Sequence, residues 1–216
     1  MGDVRGEPVL GLRERKKRRT RATLMDAAIA LCDRQGFDGT TVDQIAASAD
    51  VSPRTFSRYF ATKDAIALAL IDEVLDRVAA ELLTQPPEIS HFEALRRSYI
   101  GMAQSTKLAP AGALTSYRFM QILRITSSSS TLQQAVVEFR ASPVDVAIAD
   151  RVGVPVDDRR VRLIAAVFGG VLMTALQEVM GQTSRLVNVD VDACVAAFES
   201  VYADFMVEFA GVGQPV

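Results

Sequence analysis

Leu24, Ala27, Ala28, Leu31 and Cys32 recur at i, i+3, i+4, i+7 and i+8. The segment from about Arg15 to Gln35 therefore reads as a helix with one apolar stripe. Gly36 is placed to end it in a left-handed cap, with Phe37 folding back onto the last turn. Thr41-Val42-Asp43-Gln44 has the form of a capping box, and Val42, Ile45, Ala46 and Ala49 supply the buried stripe of a short helix ending near Asp50. Ser52 as N-cap and Pro53 at the first helical position open a third helix that runs to about Phe60. Thr62 caps a fourth, and Asp64 in its first turn suits the helix dipole. That helix continues to about Thr84 and stops at Pro86-Pro87.

Beyond the two prolines the helical period persists, with little of the alternation that strands require. One helix is expected from about Phe92 to Thr106, capped by Ser90, and another from Gly112 to Ile125, interrupted by the Ser127–Ser130 run. A third is expected over Leu132 to Arg151, with Pro143 breaking or kinking it. Two long apolar helices follow, Asp157 to Met180 and Val191 to Phe209, the second capped by Asp190. The fold class is all-α. A three-helix head at residues 11–80, led by a basic arm and continued by a linking helix, precedes a larger helical body at 81–216.

Charge changes this picture more than composition does. The 216 residues are 49% hydrophobic with 8 prolines, an ordinary globular balance. The net charge of −2 hides an asymmetry. Residues 1–63 carry 12 positive and 8 negative side chains, against 12 and 18 in the rest. Arg13, Arg15, Lys16, Lys17, Arg18, Arg19 and Arg21 form the densest cluster, broken by Glu14 and Thr20. A basic head on an acidic body predicts a polyanionic partner for the head alone.

Chemistry that could make the chain an enzyme is scarce. Cys32 and Cys194 lack metal-like or redox spacing and read as reduced thiols, and His91 is the single histidine. No metal, cofactor or catalytic site is expected. The first residues lack the pattern of a signal peptide, and the longest apolar run, Leu163 to Leu176, is short for a membrane span. A soluble cytoplasmic protein with no membrane partner is expected.

Two short helices joined by a tight turn behind a longer helix form a helix-turn-helix. Phe56 and Phe60 should point inward, whereas Arg54 and Arg58 share another face, with Thr55 and Tyr59 between them. From Ser52 to Phe60 there are arginines and hydroxyls and no carboxylate. That composition suits phosphates and base edges of double-stranded DNA. Arg54 and Arg58 are the candidates for base contact. Thr41, with the free amides at its helix start, is a candidate phosphate site. Arg18, Arg19 and Arg21 are candidates for neighbouring phosphates or the minor groove.

The segment TTVDQIAASADVSPRTFSRYFATKDAI, from Thr40, resembles the DNA-binding signature of the TetR family of transcriptional regulators, and the likeness runs from about Arg18 to Leu70. Asp50 stands where the family commonly has Gly, and Asp tolerates a left-handed backbone better than most residues. Ser52 is a further DNA-binding candidate. The resemblance implies that Pro53, Thr55 and Ser57 approach the major groove, and that Tyr59 and Lys63 grip the backbone. It also implies a homodimer built on the two C-terminal helices, repression of a palindromic operator, and release by a small effector bound in the body. Lining candidates for that effector are Tyr99, Met102, Tyr117, Phe119, Met120, Leu123, Phe139, Phe168 and Met173. Few charges interrupt these helices, so the effector should be apolar, with Arg118 and Arg124 available to an acidic group. Control by a protein partner, or none, is the alternative.

Overall fold

A computed structural model describes residues 11–129, 132, 141–181 and 189–211. Its compact units divide between Ile66 and Ala67. Among the described residues every regular element is a helix.

The first unit holds α1 (Leu12–Gln35), α2 (Val42–Ser48), α3 (Pro53–Ser57) and the first turn of α4 (Lys63–Leu83). Only the second half of α1 is buried, from Leu24 to Cys32, where the apolar stripe lies. Its first half is exposed and carries the basic cluster, which is therefore helical rather than an extended arm. Gly36 ends α1 with φ 77° and ψ 160°. The positive φ suits a glycine, but the ψ is extended rather than left-handed helical, so the chain leaves straight. Phe37 is then buried.

The caps form as the sequence dictates. Thr41 accepts from the Gln44 amide, and the Gln44 side chain accepts from the Thr41 amide in return. Ser52 accepts from the Thr55 amide, with Pro53 in the first position of α3. α3 is shorter than its pattern suggests, because Arg58 and Tyr59 donate to carbonyls three residues back and tighten the end. Asp50, between α2 and α3, has φ 53°. Phe56 and Phe60 are buried with ring centroids 5.8 Å apart, and with Leu24, Ile45 and Ala46 they make the core of this unit.

The second unit contains most of α4, then α5 (His91–Ser105), a 3₁₀ turn (Thr106–Leu108), α6 (Ser116–Ser128), α7 (Pro143–Val152), α8 (Arg159–Gly181) and α9 (Val191–Gly211). Ser90 and Asp190 cap α5 and α9 as expected. α6 begins later than its periodicity implied, since Gly112 has φ 87° and Thr115 is the cap. It also continues into the serine run. Thr126 and Ser127 donate their hydroxyls to the carbonyls of Ile122 and Leu123, so these residues stay inside the helix.

Pro143 opens a helix instead of breaking one, at the first position of α7 behind a Ser142–Asp145 capping box. Gly153 closes α7 in a left-handed cap. α8 is long and apolar enough to cross a membrane by length and composition alone. Here it packs along α9 and also meets α5, α6 and α7. Ring contacts join the helices. Phe168 of α8 stands 5.8 Å from Phe198 of α9 and 5.3 Å from Tyr99 of α5. Arg151 ties α7 to the chain after α4 by donating to the carbonyls of Gln85, Pro86 and Ile89.

Candidate nucleic-acid interface and inner cavity

In the first unit the helix-turn-helix sorts its side chains by face. Burial of Phe56 and Phe60 turns Ser52, Pro53, Arg54, Ser57 and Arg58 outward, with Thr55 and Tyr59 half-buried. Among the described residues no carboxylate lies within ion-pair distance of Arg54 or Arg58. Arg58 sits 5.8 Å from the centre of the Tyr59 ring. Ser57 donates its hydroxyl to the Pro53 carbonyl at 3.1 Å, which leaves its oxygen free to accept. Ser52 and Thr55 share a hydroxyl–hydroxyl bond of 3.0 Å. Thr41 uses its oxygen as the cap acceptor and keeps its proton to donate.

Much of the basic half of α1 is held by contacts within the helix. Glu14 pairs with Arg18 at 3.7 Å, and Thr20 and Thr23 donate back to the carbonyls of Lys16 and Arg19. Clustered cations at a helix N-terminus oppose the helix dipole, so this half gains stability from an anion placed beside it. Arg15, Lys16 and Arg19 line a groove of about 580 Å³ whose other wall includes Ala49 and Val51 of the turn. Arg21 lies 5.1 Å from the Phe60 ring centre and donates to the Met25 sulfur. It is therefore pinned against the core and reaches less far than Arg18 or Arg19.

Lys63 differs most from its expected place on a solvent-facing grip. Its Nζ donates to the Phe37 carbonyl at 2.8 Å and the Asp38 carbonyl at 3.5 Å, and lies 4.3 Å from the Phe37 ring centre. The ammonium thus clamps the loop that delivers α2. Sequence separation hides this, because the partners are 26 and 25 residues away. Burial raises the Cys32 thiol above its ordinary value, a hydrogen bond with Thr40 and the Lys63 charge only partly opposing it.

The second unit encloses a cavity of about 650 Å³ walled by α4 to α9. Tyr99, Met102, Phe119, Leu123, Phe168 and Met173 all line it. Tyr117 does not: it is 68% exposed on the outer face of α6. Met120 is also elsewhere, buried in the core with its sulfur 3.8 Å from that of Cys194. Phe139 lies outside the described residues.

Arg118 is committed to Glu73, with two nitrogen–oxygen distances of 2.9 Å, and Arg124 does not line the cavity either. Sequence reasoning missed Asp145 and Arg162, the charged residues that do. Burial, with the nearby Asp145 carboxylate, pushes the Tyr99 phenol well above its ordinary value. Among the described residues no group of His, Cys, Asp and Glu is arranged to hold a metal ion.

Residues 24–70 match the family model for bacterial regulatory proteins of the tetR family. The chain is 32% identical over 194 residues to the HTH-type transcriptional regulator TcmR of Streptomyces glaucescens, covering 88% of this chain and 84% of that protein. Its fold is similar to that of SmeT, the repressor of the Stenotrophomonas maltophilia multidrug efflux pump SmeDEF. The TM-score is 0.53 at 18% identity, over 85% of this chain and 89% of that one.

Proposed function

This chain belongs to the TetR family of bacterial regulatory proteins, and from that premise we propose that it is a cytoplasmic homodimeric repressor, released from a palindromic operator by a small apolar effector. It is a DNA-binding transcriptional regulator with a helix-turn-helix head, and no chemistry of an enzyme is assigned to it. The observation that carries the reading is the outward face of α3, where Arg54 and Arg58 stand exposed with no carboxylate partner among the described residues. Unpaired guanidiniums beside Ser57 suit guanine edges and phosphates. Pro53, Thr55, Ser52 and Tyr59 border that contact. Thr41 donates to a phosphate at the start of α2, and Arg18, Arg19 and Arg21 on α1 meet the neighbouring backbone. Lys63 serves the same interface by fixing the loop before Thr41.

Two further features support the rest of the proposal. Leu163 and Val167 on α8, with Met206, Val207 and Phe209 on α9, are large apolar side chains left exposed. A second copy covering them gives a four-helix interface and a two-fold axis, hence a palindromic site. The inner cavity supplies the effector site, and its walls favour an apolar guest.

Selection of bound fragments from the source genome tests the reading, combined with sedimentation of the free protein. A dimer at micromolar concentration that enriches inverted repeats is expected. A monomer, or enrichment without symmetry, contradicts it. Regulation by a protein partner instead is the outcome if no small molecule alters operator release.

A further inference from the structure

The inner cavity is apolar over most of its wall, yet two polar groups face it without a full set of partners. Tyr99 lines it from α5, its ring held against Phe168 and Phe198 at 5.3 and 6.4 Å. Its hydroxyl has no hydrogen-bond partner among the described residues. Asp145 lines it from the first turn of α7 and is 8% exposed. One of its oxygens, Oδ2, accepts from the Ser142 amide at 2.7 Å and completes the capping box. The other has no donor among the described residues.

Capping explains why an acidic residue stands at 145, but it uses only one oxygen. Packing explains a ring at 99, but phenylalanine would pack as well without a hydroxyl to satisfy. The two groups are not hydrogen-bonded to each other. They are close enough that the Asp145 carboxylate adds to the rise of the Tyr99 phenol.

The wall opposite adds a shape. Gly169 and Gly170 sit mid-helix in α8, where glycine weakens a helix relative to alanine. Close packing does not account for them within this chain, since a Cβ at either would meet no heavy atom within 4 Å. Gly170 is exposed, like Leu163, Val167 and Thr174, and borders the rim of the cavity. Gly169 falls on the cavity side with Ala165, Ala166, Leu172, Met173 and Leu176, and deepens the space there.

We propose that the cavity takes a largely apolar ring system bearing a hydroxyl, which accepts from Tyr99 and donates to the free oxygen of Asp145 while the rings lie over Gly169. A hydroxyl is the group that satisfies both residues at once, because the carboxylate only accepts and the phenol is left to donate. Phe119, Phe168 and Phe198, with Met102 and Met173, give the rings aromatic and thioether surfaces. This rests on the cavity being the effector site.

The test uses 1-hydroxypyrene and 1-methoxypyrene, which share a ring system and differ in the donor. Fluorescence titration of the full chain should give about tenfold tighter binding of the hydroxylated probe, the scale of one hydrogen bond to a charged group. Asp145→Asn should bring the two affinities together, whereas Tyr99→Phe should weaken both probes and keep the preference, since either probe's oxygen accepts from the phenol; melting temperatures show that both variants fold. Asparagine retains the acceptor that caps α7, so Asp145→Asn leaves the box in place. Gly169→Leu should weaken both probes while the chain stays folded.

Equal affinity of the two probes for the unmodified chain overturns the hydroxyl assignment and leaves the cavity as a binding site. A preference that survives Asp145→Asn, or probe binding that Tyr99→Phe leaves unchanged, overturns it as well. Failure of both probes to bind, or unchanged binding by Gly169→Leu, overturns the placement in the cavity and with it the effector reading.

Discussion

Lys63→Met removes the ammonium that clamps the loop between α1 and α2 and keeps an apolar stem of similar reach. In the native chain that ammonium donates to the Phe37 carbonyl at 2.8 Å, and the Thr40 amide donates to the same oxygen at 3.1 Å. A hydrogen bond from a charged donor contributes about 1.5–3 kcal/mol. The ring contact at 4.3 Å adds on the order of 0.5–1 kcal/mol at a wet site. Lys63 is half-buried and its second bond, at 3.5 Å, is at the limit of reach, so the lower end applies, about 2 kcal/mol in all. That corresponds to a roughly thirtyfold rise in the open population of the loop. Amide hydrogen exchange reads it directly, with the Thr40 and Gln44 amides expected to exchange about thirtyfold faster and those of α9 unchanged. Lys63→Arg should restore part of the protection, since a guanidinium also donates to carbonyls. Native exchange rates at Thr40 in Lys63→Met would refute the clamp and return Lys63 to a purely external role.

Two other positions give predictions from local geometry. Asp50 has φ 53° in the turn before α3, so Asp50→Gly should stabilise the head by about 0.5–1 kcal/mol and Asp50→Val should destabilise it by more, both read by thermal melting. Glu93 is held down to about 2, first by its hydrogen bond with Arg96 and then, against the opposing effect of burial, by Arg97. Its folded-state value is depressed, so the stability it adds is present above its ordinary value of 4.5 and is lost as pH falls toward about 2. Glu93 is 26% exposed, and the discounted contribution is on the order of 1–2 kcal/mol. Glu93→Gln should melt below the unmodified chain at pH 7, and the gap should shrink across that window. A constant gap contradicts the assignment.

What could be read in the residues was chemistry confined to a turn or a stripe. Thr41, Ser52, Ser90 and Asp190 announce helix starts because a cap needs only the next three residues. Phe56 and Phe60 declare the inner face of α3 by their spacing alone. The misplacements arise where distant residues decide. Pro143 is the local exception: it looks like a break until Ser142-Pro143 is recognised as the Ser-Pro start that also opens α3 at Ser52-Pro53. Tyr117 and Phe119 lie on one apolar-looking segment, and only packing sends Tyr117 outward. The partners of Lys63 and Arg118 are 26 and 45 residues away. The free oxygen of Asp145 has no sequence signal, because its capping role explains the residue completely until the cavity beside it is seen.

The central claim is that the exposed arginines of α3 read the operator. Neither makes an ion pair with a described residue, so Arg54→Ala and Arg58→Ala should leave melting temperature nearly unchanged. A gel shift on the selected operator, at fixed salt, should then show each variant losing about 1–3 kcal/mol of specific affinity, roughly five- to 150-fold, with nonspecific binding reduced far less. Unchanged operator affinity in both variants, with the fold intact, would contradict the account.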